Sequence, residues 1–497
     1  MMKRKRFFAH IDPVAKYVGG MCLIFAFVVL CPIMVPFLFD LPFVPGIDLL
    51  PFALSSLASF SLGAILIRKP CFPAVNQRQA MLICVFSWIA ISFLAAIPFY
   101  HHLHISFLDA LFEAVSGLTT TGTTVLARLE HLPPSLLFWR SLTQWLGGLG
   151  ILAFFMALLY QSGAGHFLIG AESHKAAAKR VTPGLFKTLV ILWGIYLAFT
   201  LLFIIVFYLE GMLMYDAVNH ALTTISTGGF SPYDASLDYL RQEHHPNFKL
   251  IEITAALFMI LGGTNFLIHF RVLRGEWRAL WDTSEVRTWW GLIAAATAAV
   301  TLETMLKGSG IGPAEAVRNA LFVTASLFSS TGYTTVDFNS GYFLAVSRQV
   351  FIMIMLVGGC VGSTGGGLKV YRLVILAKLL RRQLENLIFP RQAVHPLLID
   401  GDRLESEELQ RVSAMFFAWI LLIAGGGVIT AMFSQLDAWQ AFSGVFSALG
   451  NMGPSFIPVD QVVHLHPVVK LVFIVNMLAG RLEILPLLIV FTKRAWR

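Results

Sequence analysis

The chain has 497 residues, of which 57% are hydrophobic and only 13% charged, and its mean hydropathy is +0.74. Soluble domains carry about 25% charged residues, so this composition excludes a large soluble protein with buried core helices and points to a chain dissolved in lipid. The formal net charge of +8 could suggest nucleic acid, but the basic residues are distributed otherwise.

The chain opens on a basic cluster, Lys3–Arg6, followed by an apolar run over Tyr17–Phe39. A secretory signal has an apolar core of about 7–15 residues and a small-residue cleavage site. This run is longer and lacks such a site, so it reads as a retained first helix. Further runs of membrane-spanning length, which needs about 20 residues, include Ala80–Tyr100, Thr188–Tyr208 and Val412–Phe433. Lys and Arg gather at Arg68, Lys69 and Arg78, in Lys175–Lys187, in Arg271–Arg287, in Lys369–Arg411 and in Lys493–Arg497. The loops between are poor in them, which is the positive-inside signature. It places both termini in the cytoplasm and makes the number of spans even; the expectation is ten. The cysteines Cys22, Cys31, Cys71, Cys84 and Cys360 show neither metal-ligand spacing nor a disulfide framework.

Beneath the hydropathy lies an internal repeat. Four segments begin with an acid or amide followed by Ala and reach a Gly twelve residues after that Ala: Asp109-Ala110 to Gly122, Asp216-Ala217 to Gly229, Asn319-Ala320 to Gly332, and Gln440-Ala441 to Gly453. DALFEAVSGLTTTG and NALFVTASLFSSTG agree at intermediate positions, whereas DAVNHALTTISTGG and QAFSGVFSALGNMG are looser relatives. The four glycines lie 107, 103 and 121 positions apart. Each segment is flanked by apolar spans, so the unit is span, short helix, Gly-containing loop, span. A single Thr-x-Gly would read as helix packing; four at one offset do not.

A helix of ten to twelve residues is too short to cross a bilayer, so each segment dips in and returns. Irregular backbone at that depth survives only inside protein or beside a water-filled path. Four short helices aiming their C-terminal ends at one axis bring about half a negative charge each, which favours a cation. Gly at each apex permits backbone angles that turn carbonyls inward, and rings of carbonyls replace the hydration shell of potassium in selective filters. The candidate filter residues are Thr120, Thr121 and Gly122; Thr227, Gly228 and Gly229; Ser330, Thr331 and Gly332; and Asn451, Met452 and Gly453.

The second span of the third unit is interrupted by Gly358, Gly359, Gly362, Gly365, Gly366 and Gly367. Each Gly costs a helix about 1 kcal/mol relative to Ala, so an intramembrane loop beneath the filter is expected, able to block or open the path. The spacing fails the G-x-x-x-x-G-K-[ST] phosphate loop. Arg481 falls within the apolar run Leu471–Val490, where Arg costs about 2.5–3.5 kcal/mol. One reading has it facing the axis and hydrogen-bonding carbonyls of the 358–367 loop as a latch; the other has it ion-paired with a carboxylate on another span. Glu113 reads as hydrogen-bonded to a neighbouring loop in preference to touching ions. Asn219, Asn265, Asn451 and Asn476 read as interhelical hydrogen bonds, and His101, His102 and His104 as an interfacial patch in preference to a metal site.

The motifs SGLTTTGTT, STGGFSPYDAS, SSTGYTT and GNMGP, with QWLGGLGI, GGCVGSTGGGLKVYR and NMLAGRLE, resemble those of the Trk/Ktr/HKT potassium transporter superfamily, most of all its TrkH-type bacterial uptake proteins. The resemblance covers nearly the whole chain, including the helix pair at about 17–67. It implies potassium selectivity from a Gly in every filter, a gate role for the Gly-rich loop, and a multi-pass protein of the bacterial inner membrane. It also implies a homodimer with one pore per protomer, and a cytosolic nucleotide-binding Trk subunit docked near 160–183, 271–287 and 381–411. The fourth loop, with Met452 and Pro454 around its Gly, departs furthest from the pattern.

The expected fold is therefore an all-α polytopic membrane protein. It comprises a leading helix pair over 1–67 and four pore repeats over 68–183, 184–286, 287–410 and 411–497. No nucleophile–base pair, metal cluster or cofactor fingerprint stands out, so the chain does not read as an enzyme; potassium is its cargo and it carries no cofactor. A symporter coupling potassium to sodium or protons, or a sodium-permeable relative, is the alternative. Coupling usually needs ionisable residues at mid-membrane, and Arg481 is nearly alone there.

Overall fold

Inside lipid only structures that satisfy every backbone polar group persist, so apolar runs of sufficient length become helices. A computed structural model of the protein describes residues 2–69, 76–148, 185–307, 310–388 and 397–493. Among these, six helical segments are long and apolar enough to cross a membrane, or seven if one bent pair counts as a span. Phe27, Leu57, Leu201, Ile205, Phe417 and Leu421 project from these helices with their side chains exposed, as lipid-facing residues do.

The leading pair is α1 (Met2–Val28) packed on α2 (Leu50–Leu66). Gly19 and Gly63 let the two backbones approach, since a Cβ at either would stand 2.7 Å from the other helix. The first repeat follows as α3 (Gln77–Leu103), α4 (Phe107–Leu118) and α5 (Pro134–Gly148). Asn76 starts α3 with a reciprocal cap, accepting from Gln79 N at 2.9 Å while its own N–H reaches Gln79 Oε1. His101 and His102 lie in the last turn of α3, and His104 closes it in the left-handed region.

The second repeat is α6 (Leu185–Leu209), α7 (Met214–Ile225), α8 (Phe248–Gly263) and α9 (Phe266–Leu273). The third is α10 (Ser284–Leu306), α11 (Pro313–Phe328), α12 (Ala345–Val357) and α13 (Val370–Ile388). The fourth is α14 (Ser406–Met432), α15 (Ala438–Gly450), α16 (Pro467–Arg481) and α17 (Leu485–Ile489). A two-stranded hairpin, β1 (Leu398–Ile399) and β2 (Asp402–Arg403), precedes α14.

Buried apolar residues form two large clusters. One joins the leading pair to the first and fourth repeats, and the other joins the second repeat to the third. The short helices α4 and α15 contribute to the first cluster, and α7 and α11 to the second.

The second spans are less regular than their hydropathy suggests. The expected break in the third repeat is present between α12 and α13, but the second repeat also bends, by 103° between α8 and α9. The fourth does not run through Leu471–Val490: α16 stops at Arg481, and Glu483 and Ile484 both take a φ of +59° before α17 begins. Arg481 is thus a helix-terminal residue and not the midpoint of a continuous span. Its guanidinium is drawn to carbonyls, and Pro486 favours a fresh start of helix just after.

Candidate functional site

Each short helix ends in the same way. The residue after its last turn takes a left-handed conformation, with φ of 55° at Thr120, 52° at Thr227, 60° at Ser330 and 52° at Asn451. Two residues on, Gly122, Gly229, Gly332 and Gly453 take φ of 84°, 74°, 83° and 92°. Thr and Ser are uncommon in the left-handed region, and such residues persist when surrounding bonds over-determine them. Those bonds repeat four times. The left-handed residue donates three residues back, from Thr120 to Gly117, Thr227 to Thr224, Ser330 to Leu327 and Asn451 to Ala448. The next donates five back, from Thr121 to Ser116, Gly228 to Thr223, Thr331 to Ser326 and Met452 to Ser447. This is the pattern of a left-handed helix cap.

The four apices close into a ring. A Cβ on Gly122 would stand 2.3 Å from the Gly228 carbonyl oxygen, on Gly229 1.9 Å from that of Thr331, on Gly332 2.1 Å from that of Met452, and on Gly453 2.7 Å from that of Thr121. Each glycine therefore abuts the carbonyl preceding the glycine of the next repeat, in the cyclic order one, two, three, four, one. No other residue type fits so near. Four helix C-terminal ends converge on the ring, and their partial negative charges favour a cation there.

Buried polar side chains hold the ring in place. Glu113 and Arg140, both almost fully buried, pair at 2.8 Å. Glu113 also accepts from Thr124 Oγ1 and Val125 N in its own loop, and Arg140 donates to Ser231 O in the next loop at 2.9 Å. Glu113 thus bonds its own loop and not the neighbouring one, which it reaches only through Arg140. Gln144, one turn on from Arg140, donates to Gly228 O and accepts from Phe230 N. Glu252 pairs with Arg318 at 2.8 Å, joining repeats two and three, and Lys470 pairs with Asp109, joining four and one. Arg140 and Gln144 escaped the sequence reading. Their signal was polar side chains four apart on one face of an apolar helix.

Below the ring lies the glycine-rich loop between α12 and α13. The bend after α8 frees the carbonyls of Gly262 and Gly263, and the loop satisfies them: Cys360 N donates to Gly263 O, while Thr364 donates N–H and Oγ1 to Gly262 O. The loop also touches the left-handed residues, with Gly366 N on Ser330 Oγ at 2.6 Å and Thr227 Oγ1 3.3 Å from Thr364 Oγ1. Arg481 donates to Thr364 O at 2.9 Å, to Thr120 Oγ1, and to the Gly147 and Gly148 carbonyls at the described end of α5. Glu483 pairs with Arg372 at 2.6 Å. All the glycine positions singled out in the sequence, together with Arg481, lie at the ring or in and against this loop.

The asparagines divide differently from expectation. Asn451 does bridge elements, donating to Thr121 Oγ1 and Met477 O. Asn219 and Asn476 donate to the carbonyl four residues back in their own helices, and Asn265 caps α9 by accepting from Leu267 N. Local hydrogen bonds compete well for short amides. The expected docking stretch 160–183 lies outside the described residues, as does part of 381–411.

Residues 57–496 match the family model described as TrkH, cation transport protein. The chain is 32% identical over 435 residues to the Trk system potassium uptake protein TrkH of Escherichia coli (strain K12), covering 85% of this chain and 87% of that one. It is 32% identical over 498 residues to the Trk system potassium uptake protein TrkI of Halomonas elongata, covering 98% and 97%. The crystal structure of the potassium transporter TrkH from Vibrio parahaemolyticus is similar with a TM-score of 0.84 at 30% identity, over 98% of this chain and 100% of that one.

Proposed function

The chain belongs to the TrkH family of cation transport proteins, and on that premise we propose that potassium crosses along the axis of the four-glycine ring. It is a multi-pass membrane protein and a potassium uptake transporter of the Trk family, not an enzyme. The observation that carries the filter reading is the closed order of contacts in which each repeat's glycine abuts the next repeat's carbonyl. The residues of Thr120–Gly122, Thr227–Gly229, Ser330–Gly332 and Asn451–Gly453 present oxygen to the ion. The loop over Gly358–Gly367 closes the path beneath them, and Arg481 latches it.

The same reading gives both termini to the cytoplasm, the protein to the bacterial inner membrane, and a homodimer with one pore per protomer. A cytosolic nucleotide-binding Trk subunit docks on the basic face that includes 271–287. There Arg271 is held by Glu276 at 2.8 Å and Asp282 at 2.7 Å, whereas Arg274 and Arg278 pair with no carboxylate among the described residues, which leaves them as the charges offered to a partner.

A channel-like path needs no second gradient. In liposomes holding the purified protein, a potassium gradient alone drives uptake, and collapsing the proton and sodium gradients leaves the rate unchanged. Uptake that stops when either gradient is removed establishes coupled transport instead.

A further inference from the structure

The loop beneath the ring is held from its cytoplasmic side as well, by residues distant in sequence. Glu285 lies buried in the first turn of α10 and accepts the Val361 N–H at 2.7 Å, a bond between residues 76 apart. One position earlier, Ser284 gives both N–H and Oγ–H to Asp400 Oδ1, at 2.9 and 2.6 Å. Asp400 and Gly401 form the two-residue tip of the β1–β2 hairpin, with φ of 51° and 90°. Positive φ at both central residues is what a tight hairpin requires, and Asp-Gly supplies it.

The hairpin and the loop also share apolar packing. Val361 is buried in one cluster with Tyr371 and Ile375 of α13, with Ile399 of the hairpin and with Leu397 just before it. Lys378 of α13 donates to the Leu398 carbonyl at 2.8 Å. A displaced hairpin therefore acts on the loop by two routes, through the end of α10 and through Val361 itself.

We propose that Glu285 is a positioning residue for the gate loop and that the Leu398–Arg403 hairpin, gripping the start of α10 through Asp400, is the cytoplasmic input that decides whether Glu285 holds the loop shut. The inference rests on the gate reading of the loop. The Val361 N–H is buried, and without its acceptor it gains more from water than from staying in place. Gln at 285 keeps an acceptor oxygen, so its effect separates loss of this bond from loss of charge.

The test uses full-length protein in liposomes, with Cys22, Cys31, Cys71 and Cys84 replaced so that maleimide labelling reports on Cys360, which is buried in the loop. Glu285→Ala should raise resting rubidium flux and the Cys360 labelling rate on the order of tenfold, Glu285→Gln should stay near the parent, and Asp400→Gly should raise both. Potassium-over-sodium preference should be unchanged throughout. If Arg481→Ala raises flux while Glu285→Ala and Asp400→Gly leave flux and labelling at parent level, the clamp is wrong and the gate reading stands. If none of the three raises either readout, the gate reading falls too. Should Glu285→Ala fail to fold, parent-level labelling in Asp400→Gly, changed only at an exposed tip, overturns the proposal.

Discussion

Gly122→Ser lowers the potassium-to-sodium flux ratio by at least about tenfold, equivalent to about 1.4 kcal/mol, while leaving the protein folded and permeable. Gly122 sits at a φ of +84°, and a Cβ there would stand 2.3 Å from the Gly228 carbonyl oxygen. The left-handed conformation costs a side-chain-bearing residue roughly 1–2 kcal/mol, yet the contact matters more. The neighbour is backbone, already held by Gln144 through Gly228 O and Phe230 N, and cannot turn aside freely. The ring must widen or the carbonyl must rotate, and under the proposed filter either change spoils the match of its oxygens to one ion. Gly275→Ser is the control: its φ is +87°, but nothing lies within 4 Å of its Cβ position. Bi-ionic flux measurements on the two variants separate backbone strain from ring geometry. An unchanged ratio in a folded Gly122→Ser protein removes Gly122 from the filter.

Arg481→Ala opens the resting path. The guanidinium donates to Thr364 O in the loop, to Thr120 Oγ1 at the ring and to two carbonyls of α5. It ties the 358–367 loop to the ring and, on the proposed path, places a positive charge on the cation's route. A hydrogen bond from a charged group is worth about 1.5–3 kcal/mol, so its loss raises the open fraction by roughly ten- to a hundredfold. Arg481→Lys should fall between, because a single ammonium cannot span oxygens that a planar fork reaches together. Flux through purified protein without cytosolic partners measures this directly; a resting rate at or below that of the parent contradicts the latch.

Much of this was legible in the sequence, for identifiable reasons. Apolar runs and basic loops announced the helices, and the fixed offset from Ala to Gly exposed four repeats whose sequences otherwise diverge. The break at Gly358–Gly367 was visible because six glycines cannot continue a helix. The bend after α8 was not, since Gly262-Gly263-Thr264-Asn265 contains no proline and too few glycines to stand out. It forms because the neighbouring loop satisfies the carbonyls that the bend frees. Arg481 looked like a mid-span charge because Leu482–Val490 stays apolar after the helix has ended. The Glu285–Val361 bond joins residues with no periodic relation, and only the folded chain brings them together. Asn219 and Asn476 misled because a buried amide can be satisfied one turn back in its own helix.

The central claim is that the ion is coordinated at the ring of Gly122, Gly229, Gly332 and Gly453, and locating the ion tests it most directly. Diffraction from crystals grown in rubidium, recorded at the rubidium edge, should show anomalous density on the axis among the carbonyls of Thr121, Gly228, Thr331 and Met452, and sodium should displace it poorly. Density that lies elsewhere in a conducting protein, with none at the ring, would contradict the account.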